Sequence, residues 1–321
     1  MSRTGVLLTA FGGPVRAEDI GPFMCSIMGR QPSPEAVSEA RERYEAIGGG
    51  SPLPAMARRI ADSLERELSA DGEVPVAVGM LHSHPSIAAA MAALAGAGVD
   101  RVVSVSLSPF EAESTTGSYR RAVTAAVKDH PHVAVADAPG YNDSDAFVSA
   151  LAQQARVALG STVGVDGETL VAFTAHSLPV ADVEADPSYV DQLRRTAGAV
   201  AVAVGLGVAD GFRGLEGVDA FGGHSGDAPW LLAFQSKGRR GGAWIGPDLD
   251  DVIDAAGAAG LRSIVVFPVG FAVDHMETLY DLDVGSAARA RDAGLMLVRS
   301  LAPNDAALMI DALAESVRAA V

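Results

Sequence analysis

Cysteine is nearly absent. A single residue, Cys25, in 321 excludes an intrachain disulfide, a thiolate zinc finger and a four-thiolate iron–sulfur cluster held by one chain. Aromatic residues are few at 5%, while glycine is plentiful at 35 residues, a composition suited to tight turns and close helix packing. Positive charge is in deficit. The 24 Lys and Arg face 40 Asp and Glu, a formal net charge of −16, so a phosphate backbone or an anionic membrane surface would be repelled. A small anion held in a local basic pocket is still admissible. No apolar run approaches the ~20 residues that span a bilayer. The opening Met1-Ser-Arg-Thr-Gly-Val-Leu-Leu8 reads as a first strand rather than a signal peptide. There is no Walker A sequence, and Gly205-Leu-Gly207-Val-Ala-Asp-Gly211 misses the dinucleotide spacing by one residue. Gly223-His-Ser225-Gly lacks the spacing of a nucleophile elbow. His82-x-His84 and His130-x-His132 are bare HxH pairs, the second flanking a proline where solvation is expected. These absences leave a cytoplasmic protein, expected to be monomeric, with no nucleic-acid partner and no stable membrane insertion.

What the chain does contain is alternation. Val6–Ala10, Val76–Met80, Val102–Leu107 and Val133–Ala136 read as strands, with helical patterns at Ser38–Ser69, Ile87–Ala97, Thr116–Lys128 and Asp143–Leu159. Strands follow at Leu170–Phe173, Leu231–Phe234, Ile264–Phe267 and Met296–Val298. Helices are expected at Tyr189–Val204 and Leu249–Ala259 and from Asp305. This rhythm specifies an α/β fold of βαβ units with parallel sheets. One constant offset lays Leu8-Thr-Ala-Phe11 on Leu170-Val-Ala-Phe173, Pro85 on Pro247, Gly98 on Gly260 and Val102-Val103 on Ile264-Val265. The matches keep their order at strand ends and helix starts, as two similar doubly wound (Rossmann-like) domains would. The boundary is expected near Thr162–Gly167, with domains 1–163 and 164–321.

Ligands of open α/β sheets bind outside the carboxyl ends of the strands. The loops expected there are Phe11-Gly-Gly-Pro14, Thr174-Ala-His176-Ser-Leu-Pro179 and Gly270-Phe-Ala-Val-Asp274-His275-Met-Glu277. In the last, an apolar run breaks at Pro268-Val-Gly270 and enters a cluster of acids. If Asp274 onward is helical, Asp274, Glu277 and Asp281 stack on one face. No Lys or Arg occurs between Arg262 and Arg289 to neutralise it. Like charges at this spacing cost roughly 0.2–0.5 kcal/mol per pair. Two readings stand: the face holds or steers a cation, or Asp274 caps the helix and Glu277 complements its dipole.

Thr174-Ala-His176-Ser-Leu-Pro179 and Pro268-Val-Gly-Phe-Ala-Val-Asp-His-Met-Glu277-Thr-Leu-Tyr-Asp-Leu-Asp283 resemble the two signatures of ferrochelatases. Phe11-Gly-Gly-Pro14, Arg43-Tyr44-Glu-Ala-Ile-Gly-Gly-Gly-Ser51-Pro-Leu53 and Gln235-Ser236…Trp244-Ile-Gly-Pro247-Asp248 are similar to further segments of that family, in the right order over nearly the whole chain. The resemblance implies two doubly wound domains with a porphyrin cleft between them and a lyase of heme biosynthesis. It places His176 and Glu277 at the metal centre, as catalytic residues and metal ligands, with Asp281 one turn further along to pass the ion inward. It implies that Phe11, Met24 and Met28 wall the porphyrin and that Arg43, Tyr44, Ser51 and Tyr119 meet its carboxylates, with Arg30 a looser candidate.

The chemistry matches these residue types. Placing a divalent metal in a porphyrin releases two pyrrole protons and so needs a base, and ferrous iron needs N and O ligands that release it again. Ferrous iron is a substrate here, with no permanently bound cofactor and no iron–sulfur cluster, although actinobacterial relatives often carry one. Phe11 stands where some relatives have an iron-ligating tyrosine. Ser108-Pro-Phe-Glu111-Ala-Glu113 is more acidic than its counterpart, and Gly205–Pro229 is longer than usual, which reads as a tolerated insertion. By resemblance to Gram-positive and actinobacterial enzymes the substrate is coproporphyrin III. The alternatives are protoporphyrin IX and a non-catalytic tetrapyrrole-binding paralogue.

Overall fold

Val6, Leu7 and Leu8 are fully buried, as the central strand of a parallel sheet covered on both faces requires. The structure is a computed structural model that describes residues 3–161, 168–212, 215–225, 228–238 and 241–321. It divides into two compact units, Met1–Tyr141 with Asn304–Val321, and Asn142–Pro303. The expected boundary at Thr162–Gly167 lies outside the described residues. The units part instead at Tyr141, and the chain returns to the first unit for its last helix.

The first unit runs β1 (Thr4–Ala10), α1 (Ile20–Met28), α2 (Pro34–Ala46), α3 (Leu53–Leu68), β2 (Val76–Met80), α4 (Ile87–Gly96), β3 (Arg101–Ser106), α5 (Ser118–Ala126) and β4 (Ala134–Asp137). Its sheet has the order β2-β1-β3-β4, all parallel. The single helix expected over Ser38–Ser69 is two helices. Gly48 and Gly49 both take positive φ, which ends α2, and Gly50 passes so close to Val15 that an added Cβ would lie 2.3 Å from its carbonyl oxygen. Leu7, Ile87, Met91, Leu94, Val102 and Val123 form the core between sheet and helices, each contributing about 1.5–3 kcal/mol through burial.

The second unit runs α6 (Asp145–Gly160), β5 (Thr169–His176), α7 (Val180–Ala185), α8 (Ser188–Ala203), β6 (Gly222–Ser225), β7 (Ala228–Gln235), α9 (Leu249–Ala258), β8 (Ser263–Phe267), α10 (Met276–Leu279), α11 (Ala287–Asp292) and β9 (Met296–Arg299). The sheet order is β6-β7-β5-β8-β9, parallel except for β6. Leu170, Leu231, Val252, Ile253, Ile264 and Val266 build its core. Some of the long Gly205–Pro229 segment lies outside the described residues. What is described is structural: Leu215 joins the core, and β6 adds an antiparallel edge strand. In the first unit α12 (Ala307–Arg318) is tied to α3 through Arg318 Nη2 and Glu67 Oε1 at 2.9 Å.

The offset seen in the sequence recurs in the structure. It carries α4 onto α9 and β4 onto β9, residue for residue. It also carries Ser86, which caps α4 by accepting from Ala89 N, onto Asp248, which caps α9 by accepting from Asp250 N. Without β6, the two sheets have the same strand order. Among the described residues no helix is long and apolar enough to cross a membrane.

Candidate metal centre

β5 ends on His176, whose register partner at the end of β7 is Gln235. The loop after β8 crosses β5 at Gly270, where an added Cβ would lie 2.5 Å from Ala175 Cβ, and Gly270 N donates to Thr174 O at 3.0 Å. Only glycine tolerates that approach. It delivers the chain into α10 so that Glu277 arrives above the strand end. His176 Nε2 lies 3.5 Å from Glu277 Oε1, with the two side chains 32% and 35% exposed.

His176 Nδ1 meets Ser177 O at 2.5 Å. A carbonyl oxygen only accepts, so Nδ1 carries a proton, and in the neutral imidazole Nε2 presents a lone pair. Two acceptors, an imidazole nitrogen and a carboxylate oxygen, therefore face each other. Such a gap is favourable when a proton or a metal ion stands between them. The pair can ligate a divalent ion through N and O, or take up a proton.

Each member is braced. Tyr189 of α8 donates its hydroxyl to His176 O at 2.9 Å. Burial, then the Glu277 charge, pushes the Tyr189 phenol well above its ordinary range, so it remains a donor. Gln235 Nε2 donates to Glu277 O at 2.7 Å. The Trp244 ring centroid lies 6.5 Å from that of His176.

The acidic run is not the single carboxylate face expected from its spacing. Asp274 is buried, at 8% exposure, and points away into the unit. Its Oδ1 accepts from Arg299 Nη1 at 2.7 Å and from Thr278 Oγ1 at 2.9 Å, and its Oδ2 accepts from Ala302 N at 3.2 Å. The cap of α10 is His275, not Asp274, through Nδ1 and Glu277 N. Arg299 also binds Asp283 with Nε and Nη2, at 2.6 and 2.7 Å. Burial works against the Arg299 guanidinium, but the hydrogen bond to Asp283 and the charges of Asp274 and Asp283 raise its pKa overall. The neutralising cation thus comes from β9. Past α10 the helix widens to a π turn over Asp281–Ser286, and Asp281 Oδ2 accepts from Ser236 Oγ at 2.5 Å. Among the described residues no three His, Cys, Asp or Glu side chains converge closely enough to hold an ion. The expected set of His176, Glu277 and Asp281 is here a pair, with Asp281 turned to Ser236.

In the first unit the residues expected against the porphyrin are spread over several environments. Phe11 is half-buried, its ring 4.7 Å from His82 and 6.2 Å from Phe23. Met24 is half-buried and Met28 is exposed. Arg43 is half-buried and Tyr44 buried on α2. Ser51 is buried, its Oγ accepting from Leu53 N at 3.3 Å. Tyr119 is 2% exposed inside the core, its hydroxyl 3.3 Å from Ser108 Oγ. Tyr44, Ser51 and Tyr119 therefore lie inside the unit rather than on an open carboxylate-binding face.

A cavity of about 600 Å³ opens instead at the carboxyl ends of β1 and β2, lined by Arg16, Arg58, His82, His84, Ser26 and Phe23 among others. Asp19, also in its wall, accepts from Arg16 N at 3.0 Å. Arg58 is exposed, with no hydrogen bond or ion pair among the described residues. His82 Nδ1 lies 2.9 Å from Ser26 Oγ, and burial lowers the pKa of its imidazole. Sequence reasoning passed over His82 as one of a bare pair. The available signal was its place directly after a strand, the same argument that singled out His176.

The sequence model of the Ferrochelatase family matches residues 3–321. A ferrochelatase from Acidobacterium capsulatum is 34% identical over 328 residues, covering 97% of this chain and 93% of that protein. A coproporphyrin III ferrochelatase from Bacillus subtilis is 29% identical over 321 residues, covering 98% and 97%. Among solved structures, SirB from Bacillus subtilis with Fe3+ superposes with a TM-score of 0.60 at 12% identity, over 98% of this chain and 94% of that one. At that identity the likeness speaks for the fold alone. The family model spans the described chain, and the Acidobacterium relative shares a third of its residues end to end, so the protein belongs to the ferrochelatase family and is a metal-chelating lyase acting on a porphyrin.

Proposed function

We propose that this enzyme inserts ferrous iron into coproporphyrin III, with His176 and Glu277 as the pair at the metal centre. The observation that carries the reading is the facing of two acceptors, His176 Nε2 and Glu277 Oε1, across 3.5 Å at the strand mouth. Iron insertion requires that a cation be held and two pyrrole protons removed. An imidazole nitrogen opposite a carboxylate supports either step. Asp281, bonded to Ser236, is a feeding ligand rather than a member of the pair. The chain's one cysteine, Cys25, supports the expectation that no iron–sulfur cluster is built within it.

The choice of porphyrin rests on charge. Coproporphyrin III presents four carboxylates and protoporphyrin IX two. Each charged hydrogen bond to a waiting partner is worth about 1.5–3 kcal/mol. In a chain with a net charge of −16, the exposed Arg58 in the wall of one cavity, beside an Arg16 that pairs with Glu18 and Asp19, favours the more anionic ring. A name held by relatives at 29% identity, coproporphyrin III ferrochelatase, agrees. Protoporphyrin IX is the second reading, favoured by the burial of Ser51 and Tyr119, which removes two hydroxyls from the supply of carboxylate partners. Anaerobic incubation with ferrous iron and each porphyrin, followed by visible spectra, tests the proposal. A higher kcat/KM for coproporphyrin III is expected. Equal or reversed constants would overturn the substrate choice and leave the metal chemistry in place.

A further inference from the structure

Gln235 combines three features that folding alone does not account for. It is 4% exposed, it stands beside His176 in register, and its Nε2 reaches across to the backbone of the opposing residue, Glu277 O, at 2.7 Å. Its Oε1 is buried and finds no partner among the described residues. An orphaned buried acceptor costs about 1–3 kcal/mol, whereas an apolar side chain of similar shape avoids that loss. The amide is thus an expensive way to fill this space.

Its donor end, however, falls where the helix is weakest. α10 has only four residues before the turn widens at Asp281. At such a change of winding the carbonyls lose their regular i+4 donors, and the Gln235 amide supplies one from outside. Ser236, the next residue, adopts φ of 59° and donates its hydroxyl to Asp281 on the same turn. The end of β7 therefore grips the Glu277 segment at both ends of one helical turn. The other half of the pair is held in the same manner, by Tyr189 on His176 O.

We infer that Gln235 is a positioning residue for metal insertion, holding Glu277 at its working distance from His176. It touches neither iron nor porphyrin in this role. It acts through the Glu277 backbone. The inference rests on the reading of His176 and Glu277 as the metal pair.

The test uses the full chain and three measurements: metalation rate against iron concentration, porphyrin affinity by fluorescence titration, and thermal midpoint. Gln235→Leu keeps the volume and exchanges the orphaned Oε1 for an unpaired Glu277 carbonyl. It is expected to melt close to the parent while kcat/KM for iron falls about 10–100-fold, the usual loss when a ligand's supporting partner is removed. Porphyrin affinity should stay within about twofold. Near-parental kcat/KM in Gln235→Leu, or a rate loss matched by lost thermal stability and lost porphyrin affinity, would overturn the inference. Should His176→Ala and Glu277→Gln retain activity, the pair reading itself fails. If those two are inactive and Gln235→Leu is not, only the positioning role fails.

Discussion

At the carboxyl ends of β1 and β2 the loops bring Arg16, His82 and His84 beside Arg58 of α3. At those of β5, β7 and β8 they bring His176 to Glu277, with Asp281 bonded to Ser236 beside the pair. The scaffolds beneath are alike, with matching strand order and helix caps at Ser86 and Asp248 in register with the repeat. Under the same offset Pro14 occupies the place of His176, and Thr115 that of Glu277. Thr116 matches Thr278, and both hydroxyls accept from a backbone N–H of their own loop, Ala112 N and His275 N. The repeat therefore preserves the turn and changes the side chains that do chemistry. One mouth carries arginine and histidine beside Asp19 and the other an imidazole facing a carboxylate, so a duplicated scaffold presents different side-chain chemistry at each end.

The sharpest way to break this comparison is to remove the pair found only in the second unit. His176→Ala and Glu277→Gln should each lower metalation by about 10²–10⁴, the range for loss of a positioned base, with porphyrin affinity by fluorescence titration largely intact. Asp281→Asn should instead raise the iron concentration needed for half-maximal rate and leave the rate at saturating iron close to parental. Equal losses for Glu277→Gln and Asp281→Asn at saturating iron would erase the distinction between metal pair and feeding ligand.

The second unit also pins its loop with a buried ion pair, which the first lacks: Ala112 and Asp137 stand at the positions matching Asp274 and Arg299. The Arg299 and Asp274 side chains are only 6% and 10% exposed. Arg299→Met would strand the Asp274 carboxylate, and removing one partner of a buried pair costs about 3–5 kcal/mol. Denaturant unfolding should show that loss. A cost near zero would mean that Thr278 and Ala302 N suffice to hold Asp274.

This pair marks the limit of what the sequence discloses. Strand alternation and the repeat were legible because parallel strands buried on both faces must be apolar throughout. His176 and Glu277 stood out as an imidazole and a carboxylate near expected strand ends, and the resemblance to ferrochelatase signatures implied their place at a metal centre. Arg299 was not legible, because its distance from Asp274 in the chain is closed only by pairing of β8 with β9. The π turn after α10 was not legible either, since it depends on donors brought from β7. The cavity of the first unit escaped for a related reason: Arg16 and Arg58 lie on separate segments, and only the fold joins them to His82.

The proposed role of that cavity as a carboxylate site gives the next prediction. Arg58 is exposed in the wall with no partner of its own among the described residues, so it is available to a carboxylate. Arg58→Ala should lower kcat/KM for coproporphyrin III about tenfold, the equivalent of one charged hydrogen bond near 1.4 kcal/mol. Protoporphyrin IX should change by no more than about twofold if its fewer carboxylates are met elsewhere. A uniform decline on both porphyrins would show that Arg58 does not distinguish them.

The smallest effect concerns His82, where the two mouths differ in the origin of their charge. Burial lowers its imidazole pKa from the ordinary 6.5, so at neutral pH Arg58 and the paired Arg16, rather than His82, carry the cationic charge in the wall of the first mouth. As pH falls through 6.5, the unfolded chain takes up a proton at His82 before the folded chain does. The unfolded state then binds more protons, and stability must fall with pH below that point. Above it, both states are neutral and the contribution vanishes. His82→Asn removes the titration while retaining a polar partner for Ser26. Its thermal midpoint should therefore fall less than the parent's between pH 7.5 and pH 5.5, by the small amount that a single half-exposed imidazole can supply. An identical fall in both proteins would show that His82 protonates as readily in the folded chain as in the unfolded one, and that this imidazole adds to the cationic surface after all.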